Sequence, residues 1–302
     1  MKTNFVGYHA DVTSSKIICL IKDGNIVDKA FHGDNIEVIT EQTTFYGESG
    51  GQIGDIGSII GKGFELTVVD TKKPLPDLVV HHSTVKEGSV ATGCTVELIP
   101  DLNVRKATSR HHTAAHLLHA ALRNILGGHV RQAGSIVDPA RIRFDFSHFS
   151  AISGKELDKI EHLVNKKIME NLEVNTDNIS YKDAVAKGAL AFFDEKYGDT
   201  VRMVNVEEFS KELCGGIHVK RTGDIGLFRI LSDSSVAAGV RRIEAVAGTA
   251  ALNTVEEERD VIKEAASILK ASPRDVPEKI NKLIMQHKTL EKEMENLKAK
   301  LK

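Results

Sequence analysis

The sequence predicts an α+β protein in three regions: a small β-barrel over residues 1–104, an α+β domain with helices on an antiparallel sheet over 105–250, and a helical coiled coil over 251–302. Three observations predict this. Up to about residue 100 the apolar residues come in short runs separated by glycine-rich turns, the pattern of a small closed sheet. From Arg105 the apolar period lengthens to that of a helix, and helical and strand-like runs then alternate. Beyond about residue 251 the chain is strongly charged and its apolar residues follow a heptad.

In the first region SKIICLIKDG, NIVDKAF, IEVIT, GDIGSIIG, FELTVVD and CTVELI read as strands, with DGN, HGDN, GESGGQ and GKG as turns. Cys19 and Cys94 lie inside such runs and are expected in the core. The second region opens with a helix from Arg105 to Leu126. Ala114, Ala115, Leu117, Leu118, Ala121, Leu122 and Ile125 make its apolar stripe, and Gly127 and Gly128 stop it. RIRFDFSHF alternates as a strand. Ser153 and Glu156 then form a capping box ahead of Leu157, Ile160, Val164 and Ile168, an amphipathic helix. DAVAKGAL reads as a short helix, and TVRMVNV, GLFRILSD and RRIEAVAG as strands.

In the third region Asp275 and Glu278 offer a second capping box. Val276, Ile280, Leu283, His287, Leu290, Met294, Leu297 and Leu301 then form a heptad seam. Such a seam over 276–302 serves a homodimer, a helical hairpin or a surface helix packed on the body. It runs to the end of the chain without a cap, which reads as a truncated coiled coil or a helix that needs a partner.

Composition narrows the class. The chain has 302 residues, 41% hydrophobic and 27% charged, as in an ordinary globular protein. Forty Lys and Arg stand against 42 Asp and Glu, so a nucleic-acid partner must be held by a local patch rather than by net charge. No apolar run is long enough to cross a bilayer and the N-terminus lacks a signal-peptide core, so a cytoplasmic location and no membrane partner are expected. Three cysteines at irregular spacing suit core thiols or metal ligands better than disulfides.

Cys214 stands apart from the other two, in ELCGGIHV. His112 and His116, four apart on the predicted helix, project from one face, one turn apart. Cys214 and His218 add a thiolate and a third imidazole on a turn whose glycines let the backbone curl. Three imidazoles and one thiolate suit one tetrahedral Zn2+ rather than calcium or magnesium, which prefer oxygen. Four protein ligands also fit a purely structural zinc. A helical zinc peptidase is excluded, because Thr113 stands where the general-base glutamate would follow the first histidine.

Arg105, Lys106 and Arg110 lead into the ligand helix, Arg141 and Arg143 lie on a strand, and Arg241 and Arg242 come just after AAG. These are the candidate phosphate contacts, with ordinary solvated faces as the alternative.

Longer motifs carry a resemblance. HHTAAHLLHAALR, HVRQAGSIVDPARIRFDFSHF, GALAFFDEKYGDTVRMV, ELCGGIHV and GVRRIEAVAG resemble the editing domain of alanyl-tRNA synthetases. FVGYHA and TTFYGESGGQIGDIG resemble the β-barrel that precedes it. Free-standing alanyl-tRNA editing proteins share these motifs, and a domain of threonyl-tRNA synthetases is a more distant relative. The resemblance implies a translation-factor-like β-barrel, then an α+β zinc-binding editing domain, then a coiled coil. It implies hydrolysis of the ester in tRNA(Ala) mischarged with serine or glycine. It places the ligands on His112, His116, Cys214 and His218, and the family's GGQ glutamine and post-histidine threonine on Gln52 and Thr113. Two positions depart from the family pattern: Ile217 and Ala115 stand where it usually has threonine. The synthetase's aminoacylation domain has no counterpart here, so the expectation is a fragment or a self-standing editing protein.

That chemistry needs a second site because serine differs from alanine by one hydroxyl, which a hydrophobic pocket rejects only weakly. Gln52 is expected to orient water, with a plain turn residue as the alternative. Thr113 is expected to meet the serine hydroxyl, with helix packing as the alternative. The competing reading of the whole chain is a non-catalytic, zinc-containing module for tRNA binding or dimerisation.

Overall fold

The computed structural model describes residues 1–190 and 198–301. Six strands close a barrel: β1 (Thr13–Lys22), β2 (Asn35–Thr40), β3 (Gly57–Gly61), β4 (Phe64–Leu75), β5 (Leu78–Glu87) and β6 (Thr95–Pro100). They run antiparallel in the order β1–β2–β5–β4–β3–β6, and β6 returns to β1 from Thr95 opposite Lys16 to Leu98 opposite Thr13. Closure pairs the edge of each strand and removes the hazard of an open sheet. Alternating positions fill the interior, among them Val38, Ile59, Leu66, Val85, Val96 and Leu98. Cys19 is buried, and Cys94 is half-buried against the barrel core.

β5 escapes the sequence pattern because its inward residues include His81 and Ser83. The His81 ring is fully satisfied. Its Nδ1 lies 2.8 Å from the Val38 carbonyl and its Nε2 2.8 Å from the Thr43 hydroxyl.

The long helix α1 (Leu102–Leu126) starts a turn earlier than its apolar stripe suggests, because the Asp101 carboxylate accepts from the amides of Asn103 and Val104. Gly127 ends it as expected. Two sheets and two helices follow: β7 (Gln132–Val137), β8 (Ile142–Ser147), α2 (Gly154–Met169), β9 (Asn175–Ser180), the short α3 (Tyr181–Ala186), β10 (Thr200–Val206), β11 (Ser210–Leu213), β12 (Phe228–Ala237) and β13 (Val240–Ala247). β7–β8–β13–β12 form one antiparallel sheet and β9–β10–β11 another. α1 and α2 share a core with the first, through Leu117, Leu118, Phe144, Phe146, Ile160 and Ile243. The capping box of α2 forms as expected, with reciprocal bonds between Ser153 and Glu156.

Residues Met1–Ala250 make one compact unit, so barrel and α+β region are packed together. Within it the Arg105 guanidinium, buried at the start of α1, pairs with the Asp55 carboxylate and donates to the Thr44 carbonyl. The stretch AFFDEKY of the motif GALAFFDEKYGDTVRMV, 191–197, lies outside the described residues.

The second unit, Ala251–Lys302, holds most of α4 (Thr249–Ile268) and all of α5 (Val276–Lys300). The helix over the heptad is present, but the expected Asp275 capping box is not. Asp275 closes a 3-10 turn over Pro273–Asp275, and its carboxylate takes the Ser272 hydroxyl instead of a helix amide. No α5 residue is buried, the seam residues Ile280, Leu283 and Leu297 included. Among the described residues no helix is long and apolar enough to cross a membrane.

Candidate metal centre

α1 presents His112 and His116 on one face, as their spacing requires. The turn after β11 brings Cys214 and His218 to them. One donor atom from each of the four lies within 4.8 Å of the others. Cys214 Sγ is 3.4 Å from His112 Nε2 and 3.4 Å from His218 Nε2. Tetrahedral zinc at its usual bond lengths holds its donors roughly 3.3–3.8 Å apart, and both Cys214 separations fall in that range.

Each imidazole is aimed by a different partner at its other nitrogen. His112 Nδ1 meets the Gln52 carboxamide oxygen at 2.7 Å. His218 Nδ1 meets the Thr113 hydroxyl at 3.1 Å. His116 Nδ1 stands 3.0 Å from a Glu212 oxygen, an electrostatic contact rather than an aligned hydrogen bond. The other Glu212 oxygen accepts from His119 Nδ1 at 2.8 Å. With Nδ1 engaged, all three ligand rings turn Nε2 inward, the arrangement by which outer partners fix a ligand's tautomer and raise its basicity.

Electrostatics fit a cation. Burial pushes the Cys214 thiol up, but the imidazoles of His112, His218 and His116 outweigh this and hold it well below the ordinary thiol value. Burial likewise raises the Glu212 carboxyl, and the charge on His116 with the His119 hydrogen bond brings it down. Two anions thus face His116. Burial alone would depress that ring, yet Glu212 and Cys214 push it up to about 9. His218 goes the other way, to about 3, through burial and the nearby His112. The centre gathers positive charge at His116, where a dication would supply it.

Two glycines are sterically required. A Cβ on Gly216 would overlap the His112 ring. Gly51 has φ +83°, and a Cβ there would strike the Ser135 hydroxyl and carbonyl. That close approach lets the loop between β2 and β3 lie on β7. The Val137 amide donates to the Gly51 carbonyl at 2.8 Å, which delivers Gln52 beneath His112.

Beside the donors lies a cavity of about 290 Å³, whose wall includes His112, His116, Cys214, Ala115, Ser135 and Phe144.

The family described as tRNA synthetases class II (A) matches residues 1–104, and the threonyl and alanyl tRNA synthetase second additional domain matches 201–244. Alanine–tRNA ligase of Desulfosudis oleivorans is 50% identical over 301 residues, all of this chain and 34% of that protein. The ligases of Thermoanaerobacter sp. and Mesorhizobium japonicum are 46% and 47% identical, over 100% and 99% of the chain and 34% and 35% of theirs. The chain belongs to the alanyl-tRNA synthetase family. It spans about a third of the length of these relatives. The first match coincides with the barrel region. The second spans Glu212, Cys214 and His218 of this chain.

The remaining expected residues fall in varied places. Gln52 is buried, and its oxygen takes both His112 Nδ1 and, at 2.9 Å, the Ile217 amide. The Thr113 hydroxyl is saturated. It donates to the Ser109 carbonyl at 3.0 Å and accepts from His218 and, at 3.2 Å, from the Val219 amide. Of the family-divergent positions, Ala115 lines the cavity, whereas Ile217 serves the centre through its backbone. Arg141, Arg241 and Arg242 are paired with Glu244, Asp233 and Asp145. Arg143 has its Nε buried on the neighbouring strand β8. Arg105 is turned inward to Asp55, and Arg110 donates to the Asp224 carbonyl at 3.0 Å.

Sequence reasoning missed Glu212, Arg202 and Tyr8. Arg202, on β10, donates to the carbonyls of Cys214 and Gly216 at 2.8 and 3.0 Å. The Tyr8 hydroxyl donates to the Gly215 carbonyl, and its ring lies 4.3 Å from the Arg202 guanidinium carbon. Together they clamp the ligand turn. All three sit in motifs already marked by their resemblance, Tyr8 in FVGYHA, Arg202 in GALAFFDEKYGDTVRMV and Glu212 at the head of ELCGGIHV, but nothing in the sequence singles them out within those motifs.

Proposed function

We propose that this chain hydrolyses the ester of tRNA(Ala) that carries serine or glycine in place of alanine, with one zinc ion held by His112, His116, Cys214 and His218. The observation that carries the reading is the cavity itself, because three of the four donors form part of its wall. At about 290 Å³ it is at the small end of ligand pockets, the scale of an aminoacyl group. When bound, zinc supplies a Lewis acid that polarises an oxygen or anchors an amine in that cavity.

The rest falls to the chain's own groups. Gln52 and Thr113 act through the ligands, by holding His112 and His218 in the required tautomer. Selection of serine over alanine falls to polar groups on the wall. Ser135 accepts from Gln132 at 3.0 Å and keeps its own hydroxyl hydrogen for a substrate oxygen. Alanine leaves that group unpaired, at about 1–3 kcal/mol or roughly ten- to hundredfold discrimination. The setting is the cytoplasm, where charged tRNA is used.

The closed set of four protein donors supports a second reading, a structural zinc in a tRNA-binding module. Single-turnover deacylation separates the two. Ser-tRNA(Ala) is hydrolysed faster than Ala-tRNA(Ala) if the first holds, and Cys214→Ala loses metal and hydrolysis together. Hydrolysis that survives without metal overturns it.

A further inference from the structure

We propose that a second cleft, lined by the later residues of the same ligand turn, binds the phosphodiester backbone of a single RNA strand running to the metal centre. The proposal rests on the tRNA reading above and gives it a path. The cleft measures about 620 Å³, well over the first cavity and within the range that holds a nucleotide. The two openings share the turn: Cys214, Gly215 and Gly216 line the cavity, and Ile217, His218 and Val219 line the cleft. A strand lying in the cleft therefore meets a metal donor, His218, at its inner end.

The charge of this cleft is local and largely unspent. Arg105, Lys106, Arg110 and Lys220 line it, against Asp11 and Asp224. The Asp224 carboxylate already accepts from the Arg221 amide at 3.0 Å. Lys106 and Lys220 are exposed, and among the described residues no carboxylate pairs with either. Arg105 is buried and already paired with the Asp55 carboxylate, so it adds no net charge to the cleft. Arg141, Arg241 and Arg242 are likewise each neutralised by a carboxylate. Phosphates bind where cations lack internal partners, because each contact then releases counterions without first breaking an ion pair. Of the arginines that the sequence marks for nucleic acid, Arg110 belongs to this path, bonded there to a neutral carbonyl, and the two lysines complete it.

The test measures binding, so it reads out whether or not the chain hydrolyses an ester. Affinity of the 302-residue chain is measured for unacylated tRNA(Ala) and for the same tRNA lacking its last four nucleotides, across a salt series. The Lys106→Glu, Lys220→Glu double variant is measured alongside, with its thermal midpoint and zinc content checking the fold. The full tRNA binds the unaltered chain better than the shortened one. The double variant loses on the order of tenfold for the full tRNA, with a salt slope lower by about 1.4, and no longer distinguishes the two RNAs. Equal losses for both RNAs, or no loss, overturn the proposal. Lys106→Arg, Lys220→Arg restores the preference if charge at these positions is what acts.

Discussion

Replacing Glu212 by glutamine changes a single oxygen for NH2, yet the structure makes this a severe change for metal binding. The carboxylate is 4% exposed, and its two oxygens face two imidazole nitrogens, His116 Nδ1 at 3.0 Å and His119 Nδ1 at 2.8 Å. A carboxamide has only one accepting oxygen, so its NH2 must point at one of the rings. A buried donor then faces a donor, at a cost of about 1–3 kcal/mol to folding. The oxygen stays with His119, where the hydrogen bond is aligned, and His116 loses its partner. Loss of such an outer partner weakens metal binding by roughly 10–100-fold. The anion beside the ligand also goes, which removes the main cause of the rise in His116. Competition against a chromophoric zinc chelator at fixed pH reads the affinity directly, and Glu212→Asp serves as the comparison that keeps the charge. Zinc affinity within threefold of the unaltered chain would refute the argument that Glu212 aims and charges His116.

Three further outcomes are expected. Gly216→Ala sets a methyl group into the His112 ring, so zinc retention falls to background on dialysis while far-UV circular dichroism stays unchanged. In the barrel, burial lowers His81 to about 4, below the ordinary value of 6.5. The unfolded chain therefore binds a proton that the native one refuses. Stability is full above about pH 6.5 and declines towards pH 4, by about 3 kcal/mol in all, and a urea midpoint independent of pH over this window would contradict the assignment. Arg105→Met leaves the buried Asp55 carboxylate without its cation and lowers unfolding stability by about 3–5 kcal/mol, read from urea unfolding with zinc bound.

How far the sequence could be read depends on whether a residue's role is local. The α1 helix, its two histidines and the α2 capping box are set by neighbours within a turn or two, and they are found as expected. The clustering of the four donors was legible because His112 with His116 and Cys214 with His218 are each close in sequence, and the family motifs join the pairs. β9 and β11 were not. NTDNIS is an edge strand with no fully buried side chain, and SKEL buries only Ser210 and Glu212, so neither shows an apolar alternation. β5 hides for the same reason, with His81 and Ser83 turned inward. Glu212 and Arg202 are single polar residues whose meaning arises only when β10 pairs with β11 and the following turn folds back over them. The roles given to Gln52 and Thr113 were open in the sequence. The structure shows both committed to ligand imidazoles through oxygens that have little capacity left.

These commitments make the barrel part of the metal centre rather than a neighbour of it. Gln52 comes from a barrel loop, and its oxygen serves two masters: the His112 ring and the Ile217 amide of the ligand turn. One atom thus ties barrel, helix and turn together, and the Gly51 contact with β7 and the Arg105–Asp55 pair hold the loop where that atom is needed. Outer partners that are an amide, a carboxylate and a hydroxyl also leave the three imidazoles unequal. His116 is backed by an anion that pushes it up, whereas His218, whose outer partner is a neutral hydroxyl that also serves Val219, is pushed down by burial and the nearby His112. Of these two rings, His218, which lacks an anion behind it, is the one that lines the second cleft. An anion behind His116 would support it as a metal donor more than the hydroxyl behind His218 would, so His218→Ala should retain more zinc than His116→Ala in the same chelator competition. Equal zinc loss from the two variants would show that the outer partners do not rank the ligands.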